Sequence, residues 1–197
     1  MKSKALFSQV FSPSTALTSW SQHVILTVFG VITLALLSQV AIHLPWTPVP
    51  ITGQTFGVLL LAFMFGARLG TTMVMSFLFL SALGLPLLAG GKAFTFGLTS
   101  GYLIGMVGAA YLAGLCSDRG WAQTFVSRFL ISFFAGLLII LCGAFVLKAL
   151  LPESSFWWAG VIPFLFGDLV KSLAVAAVMS GLGRLDLDRR GKNASHL

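Results

Sequence analysis

Long apolar stretches separated by short polar ones dominate the chain. The runs over 22–43, 54–66, 69–84, 100–116, 127–150 and 159–183 are apolar round their whole circumference instead of along one stripe. A helix without a polar face needs apolar surroundings on every side. The pattern therefore predicts an all-α integral membrane protein of six transmembrane helices, three of them shorter than the usual span of about 20 residues. Residues 1–21 read as an N-terminal tail, 22–183 as one membrane domain and 184–197 as a basic tail. Lys2, Lys4 and many Ser and Thr precede the first run. That run is longer than a signal-peptide core and has no convincing cleavage site, so it reads as a mature helix.

The connections are less uniform than the helices. HLPWTPVPIT, after the first run, carries Pro45, Pro48 and Pro50, which remove backbone donors and push the residues before them to extended geometry. PLLAGGKAFTFGLTSG, between the third and fourth runs, is long and glycine-rich, and loops of that kind carry function more often than they merely connect. With 57% of residues hydrophobic and 9% charged, the composition lies far from the roughly 25% charged residues of a soluble domain, and the bilayer is the expected solvent.

The net charge of +7 does not point to nucleic acid, because the basic residues are scattered between apolar runs or gathered at the two ends. They read as topology signals. With both termini in the cytoplasm, Lys2, Lys4, Arg68, Arg119, Arg128, Arg184, Arg189, Arg190 and Lys192 lie inside, leaving Lys92 and Lys148 outside or near the outer surface. The two unusual loops and the PESSFWW connection at 152–158 then open outward. Trp46, Trp157 and Trp158 fall at the outer interface, and Trp20 and Trp121 near the inner one. Cys116 and Cys142 lie in apolar runs and read as reduced, helix-packed thiols. Neither an internal repeat nor a pair of broken helices suggests an inverted-repeat carrier.

Chemistry concentrates in three places. Asp168 and Lys171, in VIPFLFGDLVKSLAVAAV, stand well inside a predicted span, where ionisable groups cost several kcal/mol unless they face a cavity or each other. Their spacing puts both on one helical face with Phe164. A buried ion pair that only joins helices is the alternative to a polar site lining a cavity. In VPITGQT, Thr52, Gln54 and Thr55 offer hydrogen-bonding side chains where the chain re-enters the membrane; helix capping by Thr52 is the plainer reading. Gly90, Gly91, Lys92, Phe94 and Tyr102 combine close backbone approach, a cation and aromatic faces, against the alternative of a surface loop with an exposed Lys. Three polar elements converging above one Asp/Lys face describe a solute-binding cavity. His23, His43 and His196 have no metal-ligand spacing, so no metal is expected. No nucleophile–base motif and no P-loop occurs; an enzyme is disfavoured, and any ATP hydrolysis would belong to another subunit.

The segments PWTPVPITGQTFGVLLLAFMFGARLG at 45–70, ALGLPLLAGGKAFTFGLTSGYLIG at 82–105 and FGDLVKSL at 166–173 resemble, in order and spacing, the BioY proteins. These are the substrate-capture (S) components of energy-coupling-factor (ECF) transporters for biotin. The resemblance implies a six-helix S-component bundle in the cell membrane with both termini inside, and biotin as transported ligand with no cofactor. It also implies a transmembrane coupling protein and two ATP-binding-cassette ATPases as partners, no role for nucleic acid, and pocket elements at Asp168, Lys171, Gly90, Gly91, Lys92, Tyr102, Thr52 and Gln54. Phe94 and Phe164 join them as candidate aromatic contacts. Biotin's cyclic urea, apolar sulfur ring and valerate carboxylate suit an Asp, a Lys and aromatics. The expectation is that Asp168 accepts a urea N–H, that Lys171 donates to the urea carbonyl or pairs with Asp168, and that Lys92 or the glycine-loop amides meet the carboxylate. An S component for another small vitamin, an intramembrane enzyme using Asp168 and Lys171 as acid and base, and a purely structural subunit are the competing readings.

Overall fold

The computed structural model describes residues 16–150 and 156–194. Its elements in chain order are α1 (Ala16–Gln39), β1 (Ala41–Ile42), β2 (Ile51–Thr52), α2 (Gln54–Ala82), α3 (Ser100–Asp118), α4 (Phe125–Leu150), α5 (Phe156–Gly160) and α6 (Ile162–Ala194). Lys2, Lys4, the PESS segment and His196 lie outside the described residues. The short strands pair antiparallel, Ala41 with Thr52 and Ile42 with Ile51.

Among the described residues, five helices are long and apolar enough to cross a membrane, where the hydropathy pattern predicts six. The difference lies in α2. The runs expected at 54–66 and 69–84 fall within this one element, which breaks at Gly66 (φ 78°, ψ −178°). A side chain there would be strained and would run into the carboxylate of Asp118. Beyond the break a Cβ on Gly70 would lie 2.9 Å from Cα of Ala62. In a straight helix two residues eight apart are separated by about 12 Å, so the two halves of α2 turn back on each other. The turn is held by Asp118, whose Oδ2 accepts from the Ala67 amide at 2.9 Å, and by Ser117, whose hydroxyl donates to the Phe63 carbonyl at 2.9 Å.

In lipid the tails outside are as apolar as the side chains inside, so helices associate through close packing more than through burial. Phe63, Phe77, Met73 and Leu34 are fully enclosed, whereas Ile25, Phe29, Phe134, Phe145 and Val170 project outward as a lipid-facing surface would. The α3–α4 contact depends on Gly143, where any Cβ would overlap the ring of Tyr102. Arg128 ties the far end of the bundle together, donating Nε to the Ala122 carbonyl at 3.0 Å and Nη1 to Ser180 Oγ at 2.9 Å. Trp20, Trp46, Trp121, Trp157 and Trp158 are all exposed, at element ends. Cys116 and Cys142 are free thiols, each half-buried.

Candidate functional site

At the end of the bundle opposite the Gly66 turn, a cavity of about 300 Å³ opens among β2 and the connection before it, the loop 83–99, the N-terminal parts of α2, α3 and α6, and Ile139 of α4. Ligand sites run upward from about this volume, so it suits one small solute. Its polar wall comprises His43, Thr52, Gln54, Thr55, Lys92, Thr95, Thr99, Tyr102 and Lys171, and its apolar wall includes Val49, Leu88, Leu103, Met106, Ile139 and Phe164. The charged side chains lining it are Lys92 and Lys171, both cations.

The wall is built locally before it is assembled. Gly53 caps α2 without a side-chain bond. Thr52 is therefore not the cap; its hydroxyl donates to Gln54 Oε1 at 3.1 Å, turning the Gln54 amide so that Nε2, buried, has no acceptor among the described residues. An amide donor stranded on a cavity wall costs about 1–3 kcal/mol unless a solute or water completes it. Lys171 reaches from α6 to α2, donating Nζ to Thr55 Oγ1 at 2.8 Å. Tyr102 donates its hydroxyl to the Gly160 carbonyl at 2.6 Å and sets its ring against Phe164, centroids 5.1 Å apart. Together they form one aromatic side of the cavity.

Six of the ten residues singled out in the sequence meet here: Thr52, Gln54, Lys92, Tyr102, Phe164 and Lys171. The other four stand back from the wall. Gly90 (φ 70°) and Gly91 (φ 68°) make the tight turn in which Leu88 and Lys92 pair across an isolated bridge. They serve conformation, presenting Lys92. Phe94 packs against the core and edge-on to Phe96. Asp168 is buried against α4, where a Cβ on Gly136 would overlap its carboxylate, and its Oδ2 has no hydrogen-bond partner among the described residues. Lys171 gives its hydrogen bond to Thr55, and Asp168 Oδ2 takes none from it. The sequence reading missed Val49, Leu88, Met106 and Ile139. Met106, one turn beyond Tyr102 on α3, was findable from helical spacing; Ile139 carries no local signal.

A bundle of membrane-length helices closed round one solute-sized, cation-lined cavity defines a multi-pass membrane protein of the solute-binding class. Residues 6–186 match the BioY family, and the chain belongs to it. It is 34% identical over 165 residues to the biotin transporter BioY of Thermotoga maritima, covering 81% of this chain and 96% of that one. To the biotin transporter BioY of Rhizobium etli it is 34% identical over 174 residues, covering 80% and 92%. Its fold is similar to a crystal structure of the S-component for biotin from an ECF-type ABC transporter, with a TM-score of 0.75 at 22% identity, covering 87% of this chain and 95% of that one.

Proposed function

We infer that this protein binds biotin and takes it up across the cell membrane as the substrate-specificity subunit of an ECF transporter. Membership of the BioY family and relatives named as biotin transporters support the reading. The observation that carries it at the site is the cavity's charge pattern: a solute with one carboxylate and one hydrogen-bonding ring finds two separated lysines and an unspent amide donor. The protein is a transport subunit, not an enzyme, and biotin is its cargo, with no cofactor required.

In this proposal the ureido ring lies toward Lys171 and Gln54, which donate to its carbonyl, with the Tyr102–Phe164 face against the sulfur ring and Lys92 meeting the carboxylate at the mouth. Gly90 and Gly91 shape the turn that presents Lys92, and Phe94 steadies that loop. Thr52 orients Gln54. Asp168, one turn from Lys171, supplies the negative charge that makes a lysine tolerable at this depth, and turns toward a urea N–H when the solute is present. We further propose that both halves of α2 cross the membrane, giving six spans. Both termini then lie in the cytoplasm, the cavity opens outward, and a transmembrane coupling protein with two ATP-binding-cassette ATPases completes the transporter.

Equilibrium binding of biotin to the purified, detergent-solubilised protein tests the proposal, run in parallel on wild type and Lys171→Ala. Tight binding by wild type, weakened about a hundredfold by the substitution in folded protein, is the expected result. A well-folded wild type that ignores biotin would end the substrate assignment.

A further inference from the structure

Both segments that roof the cavity are fastened to the last turn of α1, a helix that supplies none of the residues lining the wall. The fully buried Ser38 hydroxyl accepts from Gln39 Nε2 at 2.8 Å and donates to the Leu87 carbonyl at 2.5 Å, sharing its proton with the Ala35 carbonyl at 2.6 Å. The second hydrogen of the Gln39 amide reaches the Leu88 carbonyl at 3.1 Å, with the Ala35 carbonyl a longer acceptor of the same nitrogen at 3.3 Å. A hydroxyl has one proton and a carboxamide two, so the set closes as a relay with every donor used. It grips two successive carbonyls at the root of the turn whose Leu88, Ala89 and Lys92 line the cavity.

The second roof segment is held at the same place. The Gly53 amide donates to the Val40 carbonyl at 2.9 Å, and β1, immediately after α1, pairs with β2. This closes the loop that carries His43, Val49 and Thr52 over the cavity. α1 itself is peripheral: it packs chiefly on α2, and its other face, with Ile25, Phe29, Ile32 and Leu36, is exposed. It can therefore shift without repacking α3, α4 or α6.

We propose that Ser38 and Gln39 are positioning residues that make α1 the anchor of the cavity roof, so that their hydrogen bonds to Leu87 and Leu88 set how often the cavity opens. The rate consequences rest on the reading that the cavity takes biotin; the tie does not. Opening exchanges the two carbonyl bonds for bonds to water, so the bonds belong to the closed state alone. Removing them speeds both entry and exit of the solute. Loss of an ordinary wall contact would speed exit only.

Gln39→Ala, at an exposed position whose loss leaves the core intact, and Gln39→Glu, which keeps the shape but removes the donors, are compared with wild type in detergent. Losing the Gln39 bond to Leu88, while Ser38 keeps Leu87, corresponds to about a fivefold faster biotin exit in stopped-flow, with entry also faster and affinity changed less than either rate. Amide hydrogen exchange without biotin should quicken over 86–98 in both variants, leaving α3 and α4 as in wild type. Unchanged exchange over 86–98 overturns the tie, and faster exit with unchanged entry overturns the gating role. If wild type binds no biotin, the functional reading fails, and the exchange measurement still decides the tie.

Discussion

Lys171 donates its ammonium to Thr55 Oγ1 at 2.8 Å, joining α6 to the first turn of α2 across the cavity wall. An ammonium has three protons, and among the described residues the other two have no protein acceptor, so the bond orients the group without consuming it. Replacing Lys171 with Ala should weaken biotin binding about a hundredfold, as expected for a hydrogen bond to a charged donor. Thr55→Val should cost only about fivefold, because it removes the orienting bond and leaves the charge. Titration calorimetry distinguishes the two; equal losses would mean that Lys171 acts only through Thr55.

Tyr102→Phe should lower stability and affinity together. The lost hydroxyl leaves the buried Gly160 carbonyl without its 2.6 Å donor, which costs about 1–3 kcal/mol, and loosens α5 against the bundle. The ring remains against Phe164, so binding should fall by about threefold to tenfold without disappearing. A lower thermal midpoint in detergent checks the first part; an unchanged midpoint would show that water replaces the hydroxyl freely.

A methyl group at position 136 would occupy the space of the Asp168 carboxylate. Gly136→Ala is therefore expected to reduce the yield of folded protein sharply, because helices pressed this closely have little room to yield. Gly108→Ala is the matched control: its Cβ would meet only the flexible end of Leu138, at 3.3 Å. Comparable yields of the two variants by size-exclusion chromatography would refute the role given to Gly136.

Asp118 works at the end of the bundle away from the cavity. Asp118→Ala removes the cap on the Ala67 amide and should cost about 0.5–2 kcal/mol of stability while leaving biotin affinity unchanged. Asp118→Asn, which keeps an acceptor oxygen, should recover most of the loss. Denaturation in detergent, read beside calorimetry, tests this; a large affinity change in Asp118→Ala would mean that the Gly66 turn communicates with the cavity.

The helical membrane character and the approximate runs were legible in the sequence, because a segment apolar on all sides has few stable alternatives in lipid. The polar residues of the cavity were legible for a related reason: Lys171, Gln54 and Lys92 are expensive or unusual where they stand, and expense is visible in one dimension. The break in α2 was half legible. The interruption between 66 and 69 could be read, but the return of Gly70 onto Ala62 depends on Asp118, some fifty residues away.

The sequence by itself determined which residues had to find a partner or a cavity. It determined none of the partners. That Lys171 finds Thr55 while Asp168 turns to Gly136 depends on where α2 and α4 pass beside α6, and residues one turn apart on a helix point to different neighbours. Gly90 and Gly91 illustrate the same division: composition marked glycines that let backbone approach a solute, and only the fold shows them making the turn that carries Lys92 to the cavity. Nothing in the sequence marked Ser38 or Gln39 as a hydrogen-bonding anchor, since polar side chains at a helix end are ordinary. Their importance comes from the carbonyls of Leu87 and Leu88, which tertiary packing alone brings to them.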